Sequence, residues 1–250
     1  MPVSADLFAV LERSQHFAKL TDGAFDATVG PVVRMWRRTR RTKVLPAPAD
    51  LAAARALVGY EMLTLDAKAR TAKLAKPGMQ LDLGGIAKGY AAEAMQKVLR
   101  DHGVTRALVA AGGDIVVSEP PPGAAGWEIG IAPFDASESR PPKFSLANAA
   151  VSTSGDAEQF VEIDGRRYAH VVDPKTGLGL GHRFQVTVVG KDGTTADALE
   201  TGLAVMGADR GLALVETLEG VSARFVRRTG KGLEARTSRG FPAPLERQSP

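Results

Sequence analysis

The segment EQFVEIDGRRYAHVV, residues 158–172, decides the fold class. Asp164-Gly165 fits a two-residue type I′ turn, whose two positions both take positive φ. Apolar residues alternate on either side of it, as a half-buried strand requires. The turn then sets the register, with Ile163 opposite Arg166, Val161 opposite Tyr168 and Gln159 opposite His170. On that register His170 shares a face with Tyr168, Val161 and Ile163. A histidine among apolar neighbours has two readings, a hydrogen-bonded core residue or a neutral base near pH 7.

Outward from this hairpin, FQVTVVG (184–190), VSARFVRR (221–228) and WEIGIAPF (127–134) read as strands. TRALVAAGGDIVV (105–117) reads as a buried strand broken by Gly112-Gly113, and MLTLD (62–66), AKARTAKLA (67–75) and MQLDL (79–83) as strands joined by tight turns. Helical spacing covers residues 5–20, 50–58, 84–103, 195–206 and 208–217. AAVSTSGD (149–156) reads as entering a loop, and SEPPPGAAG (118–126) as a loop. DPKTG (173–177) reads as a turn and GFPAPLERQSP (240–250) as a frayed tail. TDGAFDATVGPVVRMW (21–36) is a Gly-broken loop leading into a short apolar segment. RRTRRTK (37–43) and LPAPAD (45–50) then read as an exposed linker. A basic run of that kind is a solvated loop, an anion contact or a docking patch. Hairpins dominate, which predicts an α+β fold of mixed or antiparallel sheets with packed helices, not a doubly wound parallel sheet.

The 250 residues are 44% apolar and 24% charged, enough for a sizeable core. They form a single domain over 1–250, open to division into two intertwined subdomains. The net charge of +4 suits an anionic ligand, but 28 acidic residues oppose 32 basic ones and the aromatic residues are few and scattered. Nothing here argues for nucleic acid. The absence of Cys excludes disulfides, thiolate ligands and Cys nucleophiles. The first residues lack the basic start of a signal peptide, and no apolar run is long enough to span a membrane. The chain reads as soluble, and cytoplasmic by default.

Two stretches carry polar groups that their elements do not need. In QLDLGGIAKGYAAE (80–93) a helix opens after Gly84-Gly85, with Lys88 in its first turn. Free N–H groups and the helix dipole there favour phosphate. The bland reading is a tight turn with a surface lysine, because the pattern is neither a Walker A loop nor G-x-G-x-x-G. In TTADALETGLAVMG (194–207), Thr194 and Asp197 resemble a capping box. Asp197 and Thr201, four apart, share a helix face and could offer two hard oxygens to Mg²⁺. The alternative is a capping Asp197 and a Thr201 bonded back to a carbonyl.

Six stretches in order, GAFDATVGPVV, LDLGGIAKGYAAE, AAGGDI, VSTSGD, YAHVVDPKTG and TTADALETGLAVMG, closely resemble the ApbE family of FAD:protein FMN transferases. The resemblance runs from about residue 5 to the C-terminus. It implies an ApbE-like α+β fold with the flavin site between subdomains. It also implies an Mg²⁺-dependent enzyme that cleaves FAD, joins FMN by a phosphoester to a Thr or Ser of a partner protein, and releases AMP. Carried onto this chain, the metal ligands are Asp197, Thr201 and the carbonyl of Gly85. Lys88 faces the FAD phosphates, and Asp82 supports metal or flavin. Ala24, Phe25, Asp26 and Val171 line the flavin pocket, and His170 is the base. Asp114 and Asp156 shape the site. Glu200 is more acidic than expected and either faces solvent or adds a ligand for a second metal. The acceptors implied are membrane redox subunits. The alternatives are an FAD pyrophosphatase with the same site and a non-catalytic flavin-binding protein. Family members carry some tens of residues before the first helix, including a strand and often a lipoprotein signal. Relative to them the chain reads as N-terminally truncated, with a sheet edge unpaired and the pocket partly open. A lipoprotein signal on a longer form would place it at the periplasmic face of the inner membrane.

Overall fold

The computed structural model describes residues 1–245 except 136, 137, 139, 140, 157, 158 and 231. Glu158 of the hairpin segment and residues 246–250 of the expected frayed tail lie outside the described residues. In chain order the elements are α1 (Ala5–Leu20), α2 (Gly30–Thr42), α3 (Pro48–Arg55), β1 (Leu63–Asp66), β2 (Thr71–Leu74), α4 (Ala87–Asp101), β3 (Leu108–Ala111) and β4 (Asp114–Val117). There follow β5 (Trp127–Gly130), β6 (Lys143–Leu146), β7 (Ala149–Gly155), β8 (Phe160–Ile163), β9 (Arg166–Ala169), β10 (Phe184–Gly190), α5 (Gly193–Met206), α6 (Ala208–Val215), β11 (Ser222–Thr229) and β12 (Gly232–Thr237).

Six strands pair in the order β12–β11–β10–β7–β4–β3, every pair antiparallel. The fold is α+β, as the hairpin count predicts. Alternation along these strands sorts side chains to two faces. Val116, Ala150, Val186 and Val188 meet α4 and α5, which supply Ala92, Ala196, Leu199 and Leu203. Val117 and Val151 meet the β5–β6 hairpin through Ile129, Phe144 and Leu146. Leu199 is fully buried. Leu199→Ala is therefore expected to lower the unfolding free energy by about 3 kcal/mol, the lost transfer energy plus the cavity left behind. Denaturant titration showing less than about 1 kcal/mol would mean that this face does not anchor α5.

A smaller core joins α2, α3 and the β8–β9 hairpin through Val32, Trp36, Ala54, Val161, Ile163 and Tyr168. Trp36 Nε1 donates to the Gly177 carbonyl at 2.7 Å, and its ring lies 5.1 Å from that of Tyr168. The hairpin has the register its turn predicts, with Asp164 and Gly165 at φ 51° and 72°. The His170 N–H donates to the Gln159 carbonyl at 2.9 Å. His170 itself is not part of that core. It lies just past β9, half-buried, in the wall of a cleft.

Elsewhere the structure corrects the reading. RRTRRTK is not a linker: residues 37–42 continue α2, and Lys43 caps it in the left-handed region. Val32, Trp36 and Thr39 are buried at helical spacing, but the dense charge between them hides the stripe. Residues 105–117 form the antiparallel β3–β4 hairpin, not one broken strand, because Gly112 and Gly113 both take positive φ and turn the chain. AAVSTSGD is no loop but the central strand β7. Its hydroxyls conceal the alternation and are satisfied inside, Thr153 Oγ1 against Thr187 Oγ1 at 3.0 Å. MQLDL makes only a single parallel bridge, Val29 to Gln80. Strands β6 and β12 are additions that sequence patterning does not reveal.

Candidate active site

The site begins where α4 and α5 start. A Cβ on Gly89 would stand 2.0 Å from the Gly193 carbonyl oxygen, so only glycine lets the two helix starts touch. The cap of α5 is Asp192, whose Oδ1 accepts the Thr195 N–H at 2.7 Å. Thr194 and Asp197 therefore form no capping box. Asp197 is fully buried. Its Oδ2 accepts the Gly89 N–H at 3.0 Å and its Oδ1 accepts from Lys88 Nζ at 2.5 Å. One turn on, Thr201 lies against the loop before α4: a Cβ at Gly85 would be 2.7 Å from Thr201 Oγ1. The structure thus brings Gly85, Lys88, Asp197 and Thr201 together.

Lys88 reaches the cleft with its ammonium already engaged. Besides Asp197 it donates to the Gly84 carbonyl at 3.1 Å and stands 3.3 Å from Asp114 Oδ2. Asp114 is buried at the start of β4, and its Oδ1 accepts from Ser152 Oγ at 2.6 Å. Glu200 does not face solvent. It is buried, lines the cleft, and accepts from Thr201 Oγ1 through Oε1 at 3.2 Å. Among the described residues Asp114 Oδ2 accepts no hydrogen bond and is held by its ion pair with Lys88. Three carboxyl groups thus surround one ammonium. Burial pushes Glu200 well above the ordinary carboxylate range and Asp197 up to about 6, the latter against the pull of Lys88. Lys88 is displaced upward, because the carboxylates outweigh the burial that acts against its charge.

The cleft has a volume of about 1050 Å³, at the upper end for small-molecule sites. Phe25, Asp26, Asp82, Gly85, Lys88 and His170 all line it, with Val171 and Thr201. Ala24 is buried and is not part of the lining. Asp26 Oδ1 accepts from both N–H and Oγ1 of Thr28 at 2.7 Å, and burial raises its pKa despite those bonds. Asp82 accepts from the Gly84 N–H at 3.0 Å and from Arg37 Nη2 at 2.7 Å. It braces the loop and ties it to α2. Asp156 lies behind the wall, paired with Arg167 Nε at 2.5 Å. His170 Nδ1 is 3.3 Å from the Gln159 carbonyl, which can only accept. Nδ1 therefore carries the proton and Nε2 is the basic nitrogen. Desolvation lowers the His170 pKa, so the ring is neutral near pH 7.

Arg37, Arg40, Arg167, Arg183 and Gln185 also line the cleft, and the sequence reading assigns none of them to it. The first two belong to the basic run taken as a linker. Helical spacing from the buried Trp36 was the one signal that could have placed them.

A carboxylate, a hydroxyl and a carbonyl are hard oxygen donors that suit Mg²⁺, which binds one or two carboxylates and completes its shell with water and phosphate. Asp114, Asp197 and Glu200 share the single ammonium of Lys88, so the cluster holds more carboxyl groups than cations. Among the described residues no three His, Cys, Asp or Glu side chains form a cage, which agrees with so mixed a donor set. With its folded pKa raised above the ordinary 3.8, Asp197 costs the metal-free protein stability as pH climbs from about 4 through 6. The ionised carboxylate is the cation-binding form. Mg²⁺ is therefore expected to raise Tm more at about pH 7.5 than at about pH 5. Calorimetry showing equal gains at both would argue against Asp197 as a ligand.

This antiparallel α+β scaffold is shared with flavin transferases of known structure. The flavin transferase of Vibrio cholerae superposes with a TM-score of 0.85 at 31% identity, over 96% of this chain and 77% of that one. The apo flavinyl transferase of Pseudomonas stutzeri gives 0.84 at 34% identity, over 96% and 74%. The FAD:protein FMN transferase of Haemophilus influenzae is 33% identical over 246 residues, 96% of this chain and 71% of the relative. The chain belongs to the ApbE family, whose family model matches residues 1–225.

Proposed function

We propose that this cleft catalyses Mg²⁺-dependent transfer of FMN from FAD to a Thr or Ser hydroxyl of a partner protein, releasing AMP. The observation that carries the reading is the convergence of Gly85, Lys88 and Thr201 on a cleft that neutral His170 also lines, with the buried Asp197 behind them holding Lys88. Phe25 and Val171 supply apolar surface for the flavin. Lys88 orients the phosphates and neutralises part of their charge, and His170 Nε2 takes the proton of the incoming hydroxyl. That oxygen bonds to the FMN phosphorus, the P–O bond to AMP breaks, and AMP leaves with the electron pair. Bound through Asp197, Thr201 and the Gly85 carbonyl, Mg²⁺ would stabilise the charge that builds on the phosphate oxygens. The acceptor is a membrane redox subunit on the family resemblance. Among the described residues no helix of this chain is long and apolar enough to cross a membrane.

Incubation with FAD, Mg²⁺ and a Thr-containing peptide tests the reading. AMP release that requires the peptide, with the peptide gaining the mass of FMN, supports it. AMP release regardless of peptide assigns an FAD pyrophosphatase, and flavin binding without AMP release assigns a binding protein.

A further inference from the structure

Helix α2 presents three separate stripes. Val32, Trp36 and Thr39 point into the small core. Val33, Arg37 and Arg40 point into the cleft. Arg34, Arg38 and Arg41 form the third stripe, exposed, and Lys43 follows it at the cap. Arg37 is bound to Asp82, but Arg34, Arg38, Arg40, Arg41 and Lys43 have no carboxylate partner among the described residues. The helix dipole favours Arg40 and Arg41 in the last turn, but gives no reason for Arg34 in the first half. Like charges at i, i+3 and i, i+4 repel, so this stripe costs helix stability unless something outside the chain compensates it. The inner stripe, with the Trp36 bond to Gly177, holds the array on a fixed surface rather than a loose loop. Its cleft-side neighbour Arg40 shares the lining with His170, and its charge helps lower the pKa there. A continuous basic track thus runs from the proposed base, over the rim of the cleft, to the outside.

We propose that the outer face of α2, formed by Arg34, Arg38, Arg41 and Lys43, docks an acidic segment of the acceptor protein that flanks the hydroxyl receiving FMN. The proposal rests on the transferase reading above. A chain entering over α2 towards His170 would bring acidic side chains next to its hydroxyl past Arg40 and the outer stripe. Charge complementarity of this kind raises encounter rate and selects the partner.

The test compares two peptides with one Thr each, one flanked by Asp and Glu, the other by Asn and Gln. At low salt KM for the acidic peptide is expected to be about tenfold lower, with kcat similar and the advantage gone near 0.5 M salt. In Arg34→Gln/Arg38→Gln/Arg41→Gln the two KM values should converge, while FAD binding stays that of the wild type and Tm is equal or higher. Charge reversal at the same positions should make the acidic peptide the poorer substrate. Equal KM values in a wild type that transfers FMN would overturn the docking face and leave the transferase reading standing. Transfer to neither peptide would overturn both. Equal KM values, with wild type but not the variant sedimenting on phosphatidylglycerol vesicles, would replace the acidic segment with an anionic lipid surface.

Discussion

Asp197→Asn is expected to lower the rate of FMN transfer by about 10³-fold, equivalent to roughly 4 kcal/mol of transition-state stabilisation. The amide keeps the shape of the side chain and can still face the Gly89 N–H, so the α4–α5 contact survives. What it loses is the negative charge that holds Lys88 and that, on the proposed reading, would hold Mg²⁺. Released from Asp197, Lys88 keeps only Asp114 at 3.3 Å and the Gly84 carbonyl. Two readouts separate chemistry from folding. Tm without metal should fall while a cooperative transition remains, because one partner of a buried ion pair is lost and the Asn N–H₂ comes to face the Lys88 ammonium. The Mg²⁺-dependent gain in Tm should disappear. A variant with near-normal rate and an intact Mg²⁺ response would remove Asp197 from the metal site.

His170→Ala should slow transfer to a Thr peptide by about 10²–10³-fold, the usual worth of a positioned general base. Attack by water, if measurable, should suffer less, because the base matters most for a bulky acceptor that must be both deprotonated and oriented. Equal losses for the two acceptors would remove this role. The pH profile offers an independent check. A His pKa held below 6.5 by desolvation keeps the ring neutral as pH falls past the ordinary value. The wild-type transfer rate should therefore lose activity on the acid side with a midpoint below 6.5, and the variant should lack that His170 component. The same shift has a stability consequence. The folded state binds its proton less tightly than the unfolded one, so His170 favours folding above pH 6.5 and that contribution falls away on acidification.

The hairpin at Asp164-Gly165 and the helices around Leu11, Ala92 and Leu199 were legible because each has a local cause: a turn dipeptide that fixes register, or apolar residues at helical spacing. Strand β7 was not, since its interior hydroxyls look like a loop until Asp114 and Thr187 stand opposite to receive them. Helix α2 was hidden by its charge. The arginines flanking Trp36 and Thr39 mask a buried stripe that exists only because the β8–β9 hairpin lies under it. The candidate site divides the same way. Lys88, Asp197 and Thr201 stood out by residue type and spacing, and Gly85 and Glu200 through the family resemblance. Arg37 and Arg40 did not, since nothing local distinguishes a cleft-facing charge from a solvated one.

The sequence by itself determined the α+β class and the hairpin register, because these follow from spacing along a single segment, while the hard-oxygen and basic groups were marked out by the ordered family motifs. Tertiary structure alone decided which of them meet. Asp197 looked like a cap until the close approach of Gly89 to Gly193 set it beside Lys88, leaving Asp192 to cap the helix. The basic run of α2 looked like a linker until Trp36 was anchored to Gly177. In both cases the deciding contact joins residues more than a hundred positions apart, and local periodicity carries no information about such a pair.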